Sequence, residues 1–381
     1  MKAIFQKLLV GITWVLCRLL PVNPRKIVVT SYYGLGFGDN PKPIVQELLR
    51  RGADVQIVWL TAGKAAADSL PAGVVACEYH SLRKIYELST AKVWIDNCRK
   101  GARMKRRSQI YMQTWHGFAL KRIERDVADK LPPEYEPYAI RDSAQIDLIV
   151  SDSRFMTDVY RRAFWYDGEI LEFGAPRNDL LCRNADRPLD KVRSALGVPA
   201  DCRIVLYAPT FRVDESMDAY CVDYSRLRRS CEVRFGGRFA VLIRLHPHVM
   251  QRASELRFDQ ETTFNASPYP DMQELLAAAD VVVSDYSSLM FDFSLTGRPC
   301  FQFAVDIDAY RNDRNFYLPL DALPFPLATD NDALEAQIAA FDEAQYRSKL
   351  NAFFTEVGLS TDGHAAQRCA DWITAQMKGE V

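Results

Sequence analysis

Two adjacent hydroxyl side chains, Ser287 and Ser288, stand where the chain changes from one pattern to another. The β-branched run at 281–283 before them is typical of a buried strand, and the apolar spacing over 289–295 is helical. A helix N-terminus offers free N–H groups and a partial positive charge, so this turn predicts a phosphate-binding site. The alternative is that Asp285 or Ser287 only caps the helix.

Four further turns place polar or cationic residues directly after apolar runs. They hold Trp115, His116 and Gly117 after 110–112, Arg177 after 170–173, Pro209 and Thr210 after 203–208, and Arg244, Leu245 and His246 after 239–243. Two arginines, two histidines and several hydroxyls suit an anionic substrate.

The chain has only five histidines, which makes their positions informative. Histidine titrates near neutral pH and can accept a proton from a hydroxyl, so His116 and His246 are the candidate catalytic residues. The alternative for each is a structural histidine, which is the interpretation we prefer for His80, His248 and His364.

Four acidic residues bear on this interpretation. Arg177 could simply pair with Asp179, and Asp292 is either a site residue or a surface acid of the helix. Asp306 and Asp308 form the Asp-x-Asp pattern of some metal-dependent transferases, but no supporting cluster accompanies them. We therefore expect no metal and no cofactor.

The composition excludes several classes of protein. The 381 residues are 48% hydrophobic, which allows a sizeable core and suggests two domains. With 48 basic and 49 acidic residues, the chain shows no basic excess that would point to nucleic acid. Nine cysteines without a C-x-x-C pair predict neither a disulfide framework nor a zinc site. The basic clusters at 99–107 and 226–229 are interpreted as solvated faces or sites for an anionic ligand.

Strands and helices alternate along most of the sequence, which predicts an α/β fold with parallel, doubly wound sheets. Such sheets bind ligands in the crevice beyond the carboxyl ends of their strands, where the polar turns lie. Gly34, Gly36 and Gly38 follow the first strand but do not form a G-x-G-x-x-G, so the dinucleotide signal is weak.

The chain divides into two similar halves and a short leading segment. A strand followed by Ser-Asp and a helix occurs at 147–164 and again at 280–295. The composition becomes loop-like near 185–200, which places the boundary there. We expect residues 27–190 to form one Rossmann-like domain and 191–381, with the terminal helices, the other.

Residues 1–26 carry an apolar stripe at helical spacing, and all of their charges are basic. No cleavage site for a signal peptide follows, and Arg18 interrupts the apolar run, which is too short to span a bilayer. The segment therefore predicts an N-terminal amphipathic helix on an anionic membrane surface. The alternative is a helix packed on the protein's own core.

Taken together, these turns resemble the motifs of the CDP-glycerol glycerophosphotransferase family of teichoic acid primases and polymerases and related capsule enzymes. The matching stretches are GDNPKPI (38–44), TWHG (114–117), GAPRND (174–179), YAPTFR (207–212), RLHP (244–247) and SDYSSLMFDF (284–293). YAPTFR together with DYSSLMFDF is specific, whereas TWHG alone is not. The resemblance covers residues 27–375.

The resemblance implies a GT-B-like fold of two Rossmann-like domains with a cleft between them, an acceptor-side N-terminal domain and a donor-binding C-terminal domain. It implies transfer of glycerol phosphate from CDP-glycerol to a hydroxyl of a lipid-linked acceptor, with release of CMP, at the cytoplasmic face of the membrane. Carried over by motif, the substrate-binding residues are Trp115, Gly117, Phe118, Ala119, Arg177, Pro209, Thr210, Arg244, Leu245, Ser287, Ser288 and Asp292. TWHG is followed here by Phe118-Ala119-Leu120-Lys121 instead of Thr-Pro-Leu-Lys, which puts the acceptor or the donor alcohol in doubt.

Other functions are compatible with parts of this pattern. CDP-ribitol could replace CDP-glycerol, and a nucleotide-sugar glycosyltransferase shares the expected fold. A dinucleotide-dependent oxidoreductase would need the glycine motif that the first loop lacks. A binding protein without activity is disfavoured because both motif histidines are present.

Overall fold

The computed structural model describes residues 2–100, 105–183, 187–210, 212, 217, 220–256, 258–307 and 316–379. The chain forms two compact units. Unit 1 contains Met1–His116, Glu124–Asp179 and Leu359–Val381, and unit 2 contains Gly117–Ile123 and Leu180–Gly358. Each unit is built on one parallel sheet, which confirms the predicted α/β class.

Unit 1 holds a seven-stranded sheet in the order β3-β2-β1-β4-β5-β6-β7. Its strands are β1 (Asn23–Thr30), β2 (Gln56–Thr61), β3 (Val74–Glu78), β4 (Ala91–Asp96), β5 (Ile110–Gln113), β6 (Leu148–Val150) and β7 (Glu169–Leu171). β1 lies in the interior of the sheet and pairs Ile27 with Ile57 on one side and with Val93 on the other. The order reverses between β1 and β4, and such switch points are where doubly wound sheets bind ligands.

Unit 2 repeats this arrangement in a six-stranded sheet, ordered β10-β9-β8-β11-β12-β13. Its strands are β8 (Cys202–Tyr207), β9 (Arg238–Ile243), β10 (Thr263–Asn265), β11 (Val281–Ser284), β12 (Cys300–Phe303) and β13 (Leu327–Ala328). Val281, Val282 and Val283 are fully buried, as expected of a central parallel strand covered on both faces. The order reverses here between β8 and β11.

Helices connect the strands, and several of them begin at a side chain that caps the first turn. They are α1 (Lys2–Cys17), α2 (Pro41–Arg50), α3 (Lys64–Asp68), α4 (Leu82–Thr90), α5 (Tyr135–Ser143), α6 (Arg154–Ala163), α7 (Asp179–Cys182), α8 (Leu189–Leu196), α9 (Tyr224–Phe235), α10 (Met272–Ala278), α11 (Leu289–Ser294), α12 (Asn331–Ala339), α13 (Glu343–Val357) and α14 (Ala365–Lys378). Ser153 caps α6 by accepting a hydrogen bond from the Met156 amide at 3.2 Å, which fixes the turn after β6.

The N-terminal segment is helical over Lys2–Cys17, and β1 begins at Asn23, inside the expected segment 1–26. α1 packs against α4, and Arg106 donates hydrogen bonds to the Leu20 and Cys17 carbonyls where the helix ends. Among the described residues, no helix has the length and apolarity needed to cross a membrane.

The last helix, α14, belongs to unit 1, whereas the sequence placed all of 191–381 in the second domain. Cys369, Ala370 and Ile373 are buried in the core of unit 1 together with Val45 and Leu48 of α2. This return of the chain is a long-range contact between two amphipathic helices, which the local pattern does not contain.

Candidate active site

His116 lies in unit 1, after β5, with its ring oriented by the chain around it. Its Nδ1 is 2.6 Å from the carbonyl oxygen of Asn97. A carbonyl oxygen can only accept, so Nδ1 carries the proton and the neutral ring presents the lone pair of Nε2. Burial lowers the pKa of His116, although the Asn97 carbonyl and the Asp39 carboxylate oppose that effect. The geometry therefore provides a neutral imidazole able to accept a proton.

The backbone beside this histidine is strained. Trp115 has a φ of 49°, in the left-handed region that non-glycine residues rarely occupy, and its ring stacks on His116 at a centroid distance of 4.1 Å. The Asn40 amide holds the conformation by donating to the carbonyls of Thr114 at 3.1 Å and of Trp115 at 3.0 Å. Side-chain oxygen Oδ1 of Asn40 accepts from the Arg177 amide at 3.1 Å. Asn40 thus joins three turns at one edge of the sheet.

Arg177 forms a buried ion pair with Asp39, a partner that the sequence did not indicate. Arg177 Nη1 is 3.0 Å from Asp39 Oδ2, which also accepts from the Tyr32 hydroxyl at 2.8 Å. Burial alone would raise the pKa of Asp39, but the Arg177 guanidinium and the backbone amide of Asn40 hold it below its ordinary value. Asp179 accepts from the Ala365 and Ala366 amides at the start of α14 at 3.0 and 2.9 Å.

In the basic cluster at 99–107, two of the charged side chains are buried in ion pairs, which the sequence did not indicate. Arg99 is buried and donates to Glu124 at 2.8 Å, and Lys100 is buried against Asp96 at 2.8 Å. These charges were predicted to be solvated or to bind a ligand, but they neutralise acids inside unit 1. Burial raises the pKa of the nearby Asp142 to about 6, although Arg99 opposes it. Residues 101–104 of the cluster lie outside the described residues.

In unit 2, three predicted turns follow three adjacent strands. Residues 209–212 follow β8, 244–246 follow β9, and 285–288 follow β11. Because β9, β8 and β11 are neighbours and parallel, these turns share one edge of the sheet. The switch point between β8 and β11 lies within the set, which is the usual position of a nucleotide site in such folds.

Asp285 links two of these turns and was missed as a site residue. Its Oδ1 accepts from the Thr210 amide at 2.8 Å, and both carboxylate oxygens lie 3.0 Å from the Thr210 hydroxyl. Arg212 donates to Asp285 at 2.9 Å and makes a two-pronged contact with Asp306 at 2.6 and 3.0 Å. The sequence did contain a signal, because Asp285 directly follows an apolar strand and precedes two serines. An unpaired carboxylate is costly to bury, so an acid at such a place is expected to have partners.

Ser287 and Ser288 are half-exposed at the start of α11, and neither side chain makes a short capping hydrogen bond. Ser288 occupies the N-cap position without a side-chain capping bond, and Ser287 Oγ accepts only a long contact of 3.4 Å from the Leu289 amide. The capping alternative therefore explains little of this turn. Both hydroxyls keep hydrogen-bonding capacity for a ligand.

Arg244 and His246 follow β9, and the residue between them points into the core. Arg244 donates to the carbonyl of Tyr269 at 2.6 Å, and among the described residues it has no carboxylate partner at ion-pair distance. Burial lowers the pKa of Arg244. The His246 amide donates to the Tyr220 hydroxyl at 3.0 Å. Leu245 is 2% exposed and its amide donates to the Ser267 hydroxyl at 3.0 Å, and its assignment to substrate binding stays a prediction.

The remaining predicted residues belong to unit 2, and all but Gly117 are buried. Asp292 accepts from the Gln273 amide at 3.0 Å, so it is not a helix-surface acid. Phe118 stacks on Phe291 at 4.3 Å, and Ala119 and Pro209 are also buried. Gly117, where the chain passes from unit 1 to unit 2, is half-exposed. The assignment of all these residues to substrate binding stays a prediction.

Within the described residues, no group of three or more histidine, cysteine or acidic side chains is arranged to hold a metal ion. Asp306 is engaged by Arg212 and by the Tyr286 hydroxyl at 3.0 Å. Asp308, the other half of the Asp-x-Asp pattern, lies outside the part of the chain that the structure describes.

Comparison with known proteins agrees with these motifs. The family model described as CDP-glycerol:poly(glycerophosphate) glycerophosphotransferase matches residues 12–375. The teichoic acid poly(glycerol phosphate) polymerase of Staphylococcus epidermidis is 32% identical over 94% of this chain, which spans 51% of that protein's length. The teichoic acid glycerol-phosphate transferase of Staphylococcus aureus is 29% identical, over 98% of this chain and 99% of its own. A teichoic acid ribitol-phosphate primase of Bacillus spizizenii is 27% identical over 94% of this chain.

The fold has a close counterpart among solved structures. A histidine-to-alanine variant of the wall teichoic acid polymerase TagF superposes with a TM-score of 0.85 and 30% identity, over 97% of this chain and 94% of that one. A histidine-to-asparagine variant of TagF, solved after a 15-minute soak with CDPG, gives 0.82 over 94% and 90% of the two chains. These matches confirm the GT-B-like fold. On the extent of the family match, this chain is a member of the CDP-glycerol:poly(glycerophosphate) glycerophosphotransferase family.

Proposed function

We propose that the protein transfers glycerol phosphate from CDP-glycerol to a hydroxyl of a lipid-linked glycerophosphate or glycan acceptor and releases CMP. The product would be a teichoic acid or capsule-type polymer. Family membership and the likeness to a polymerase solved with CDPG support the donor. In this proposal unit 1 supplies the base and the acceptor side, and unit 2 binds the donor.

The observation that carries the proposal is the orientation of His116. Its Nδ1–H is donated to the Asn97 carbonyl at 2.6 Å, which leaves Nε2 as the acceptor. Its lowered pKa keeps the ring neutral at physiological pH, as a general base requires. A purely structural histidine would have no need of the strained Trp115 backbone beside it.

The donor is a pyrophosphate, and unit 2 provides groups that suit it. Arg244 supplies a cation without a carboxylate partner among the described residues, and Ser287 and Ser288 supply hydroxyls. His246 follows Arg244 on the same turn and is assigned to the same phosphates. The Asp285 contacts hold Thr210 beside the serine turn. Such preorganised donors stabilise developing negative charge.

The reaction follows from these roles. Nε2 of His116 takes the proton of the acceptor hydroxyl as its oxygen attacks the phosphorus that carries glycerol. A new oxygen–phosphorus bond forms, and the bond from that phosphorus to the bridging oxygen of the pyrophosphate breaks. CMP leaves with the bridging oxygen and its charge, which the cationic and hydroxyl groups of unit 2 stabilise.

The proposal includes an anionic membrane surface at the cytoplasmic face as the place of reaction, because a lipid-linked acceptor is held there. α1 supports it. Phe5, Leu8, Ile12, Val15 and Leu16 are between 48% and 68% exposed, which is unusual for a row of apolar side chains in a folded protein. A helix with such a face and basic residues lies well in the lipid interface.

The test is a donor panel with the purified full chain. CDP-glycerol, CDP-ribitol, UDP-glucose and UDP-N-acetylglucosamine are each mixed with a lipid-linked glycerol phosphate acceptor, and the released nucleotide and product length are measured. We expect CMP from CDP-glycerol and extension of the acceptor by glycerol phosphate. Turnover of CDP-ribitol but not of CDP-glycerol would show that ribitol is the donor alcohol. Release of UDP would overturn the proposal in favour of glycosyl transfer.

A further inference from the structure

A second set of side chains lies at the carboxyl edge of the unit 1 sheet, and the groups that hold His116 do not include them. Tyr33 follows β1, Tyr79 follows β3, and Lys84 lies in the first turn of α4. The carboxyl edge of a parallel sheet is where ligands bind in this class of fold. These three residues, named the Tyr33–Lys84 cluster here, are not among the residues that the motifs indicated.

The cluster is compact, and the residue before Tyr33 contacts the proposed base. The rings of Tyr33 and Tyr79 meet edge to face at 6.4 Å, and Lys84 Nζ lies 3.8 Å from the centre of the Tyr79 ring. The preceding residue, Tyr32, places its ring 5.5 Å from that of His116. The loop that carries Tyr33 therefore also contacts His116, and the cluster reaches the start of α4.

Its polar groups keep their bonding capacity. Within the described part of the chain, neither the Tyr33 nor the Tyr79 hydroxyl makes a hydrogen bond, and Lys84 has no carboxylate at ion-pair distance. Lys84 is half-buried, and burial together with Lys100 lowers its pKa, while Asp96 opposes this. A half-buried ammonium group over a ring, with no anion beside it, is the arrangement expected where a ligand brings the anion.

The backbone that carries Tyr33 is unusual in the same way as that of Trp115. Tyr32, Tyr33 and Gly34 have successive φ values of 43°, 56° and 93°. A Cβ at Gly34 would meet the Ala62 nitrogen at 2.8 Å, so only glycine fits. The Tyr32 amide is fixed by Asn97 Oδ1 at 2.8 Å, and Asn97 is the residue whose carbonyl orients His116. One residue thus ties the tyrosine loop to the base.

We propose that Tyr33, Tyr79 and Lys84 form the subsite for the acceptor and bind its terminal glycerol phosphate unit. In this inference, which rests on the proposed function, the Lys84 ammonium contacts the phosphate of that unit. The tyrosine hydroxyls bond to its glycerol oxygens, and the rings cover its carbon chain. The terminal hydroxyl then reaches Nε2 of His116.

Two features favour the acceptor over the donor as the ligand. The cluster belongs to unit 1, as does the base, whereas the groups assigned to the CDP-glycerol pyrophosphate belong to unit 2. α4, which carries Lys84, also packs against α1, the helix proposed to contact the membrane. A lipid-linked chain would thus be bound beside the element that holds the lipid surface.

The test separates the two substrates kinetically. Initial rates are measured for Lys84→Gln, Lys84→Arg and Tyr79→Phe, first with the glycerol phosphate acceptor varied and then with CDP-glycerol varied. We expect Lys84→Gln to raise the KM for acceptor by about tenfold, equivalent to about 1.4 kcal/mol, and to leave the KM for CDP-glycerol within about twofold. Lys84→Arg should keep most acceptor affinity, and Tyr79→Phe should show a smaller rise. Lys64→Gln, an exposed lysine of unit 1, is the matched control.

A binding measurement keeps the inference testable apart from catalysis. Calorimetry with a synthetic tri(glycerol phosphate), and separately with inorganic phosphate, is carried out on wild type and Lys84→Gln, with thermal unfolding as the check of folding. Tighter binding of the trimer, lost in the variant, supports the subsite. Equal binding of inorganic phosphate, or an unchanged acceptor KM in Lys84→Gln, overturns it. If the wild type releases no CMP, the proposed function is overturned. Binding of the tri(glycerol phosphate) by wild type and Lys84→Gln then still tests the subsite.

Discussion

At the scale of single residues, His116 carries the most specific expectation. His116→Gln removes the proton acceptor but keeps a polar side chain, so turnover should fall by roughly 10²–10⁴. The KM for CDP-glycerol should change little, because the donor groups belong to unit 2. CMP release under saturating substrates measures this, and His364→Gln, an exposed histidine, is the control. Near-normal turnover in His116→Gln would assign the base to another residue, with Asp292 the next candidate.

The pH dependence of the same reaction follows from the lowered pKa of His116. Protonation of the base stops the reaction, and that pKa lies below the ordinary histidine value of about 6.5. The acidic limb of the rate profile should therefore fall below pH 6.5 and be absent in His116→Gln. The same limb in the variant would contradict the assignment.

The Arg177–Asp39 pair predicts a stability effect that is separable from catalysis. Arg177→Met leaves the buried Asp39 carboxylate without its partner, which should cost about 3–5 kcal/mol of unfolding free energy. The double variant Arg177→Met/Asp39→Asn should recover most of that loss. Urea unfolding measures both.

The sign of the pH effect provides a second check on this pair. The pKa of Asp39 is depressed in the folded state, so its stabilising contribution is present above the unfolded value of about 3.9 and is lost as the pH falls through the folded value. The stability difference between wild type and Asp39→Asn should shrink at low pH. A difference that is constant with pH would show that the carboxylate is not charged in the pair.

Sequence reasoning located the turns better than it located the contacts inside them. The histidines and serines of the candidate site were identified from their residue types and from their place directly after apolar runs. The ion pair between Arg177 and Asp39 was not identified in this way, because the two residues are distant in sequence. Arg99 was expected to be solvated for the same reason, since its partner Glu124 lies 25 positions away.

At the scale of elements, the start of α11 separates binding from capping. Ser287→Ala with Ser288→Ala should raise the KM for CDP-glycerol about tenfold, if about 1.4 kcal/mol of phosphate contact is lost. Stability should change by less than the roughly 1 kcal/mol of a lost cap, because Ser288 makes no capping bond. Calorimetry with CDP-glycerol measures the donor affinity, and thermal unfolding measures the change in stability. An unchanged donor affinity would remove the serines from the site.

α1 gives the second prediction at this scale. Leu8→Gln, Ile12→Gln and Val15→Gln together remove exposed apolar surface without shortening the helix. Cosedimentation with anionic liposomes should fall by at least about tenfold, since each buried aliphatic side chain is worth roughly 1.5–3 kcal/mol. Val233→Gln, at an 88% exposed position of unit 2, is the control. Equal sedimentation of the triple variant would exclude α1 as the membrane contact.

Most elements were predictable because their periodicity is strong. β1, β8, β9 and β11 stand where β-branched runs indicated. The short edge strands β10 and β13, with three and two residues, carry too few side chains for a pattern and were not predicted.

At the scale of the whole molecule, α14 is the element whose place the sequence did not indicate. Ile373→Ala removes a fully buried side chain from the core of unit 1 and should destabilise the protein by about 2–5 kcal/mol. Urea unfolding monitored by circular dichroism measures this. Gln367→Ala, on the exposed side of the same helix, should be near neutral. If Ile373→Ala is equally neutral, α14 does not complete that core.

The return of α14 to unit 1 also sets an order of events during synthesis. Every segment of unit 2 has been synthesised once Gly358 has been added, whereas unit 1 still lacks Cys369, Ala370 and Ile373. The half of the protein that is translated first is therefore the half that completes its fold last. Until then α2 exposes the apolar face that α14 will cover, so nascent chains should depend on chaperones through unit 1 rather than unit 2.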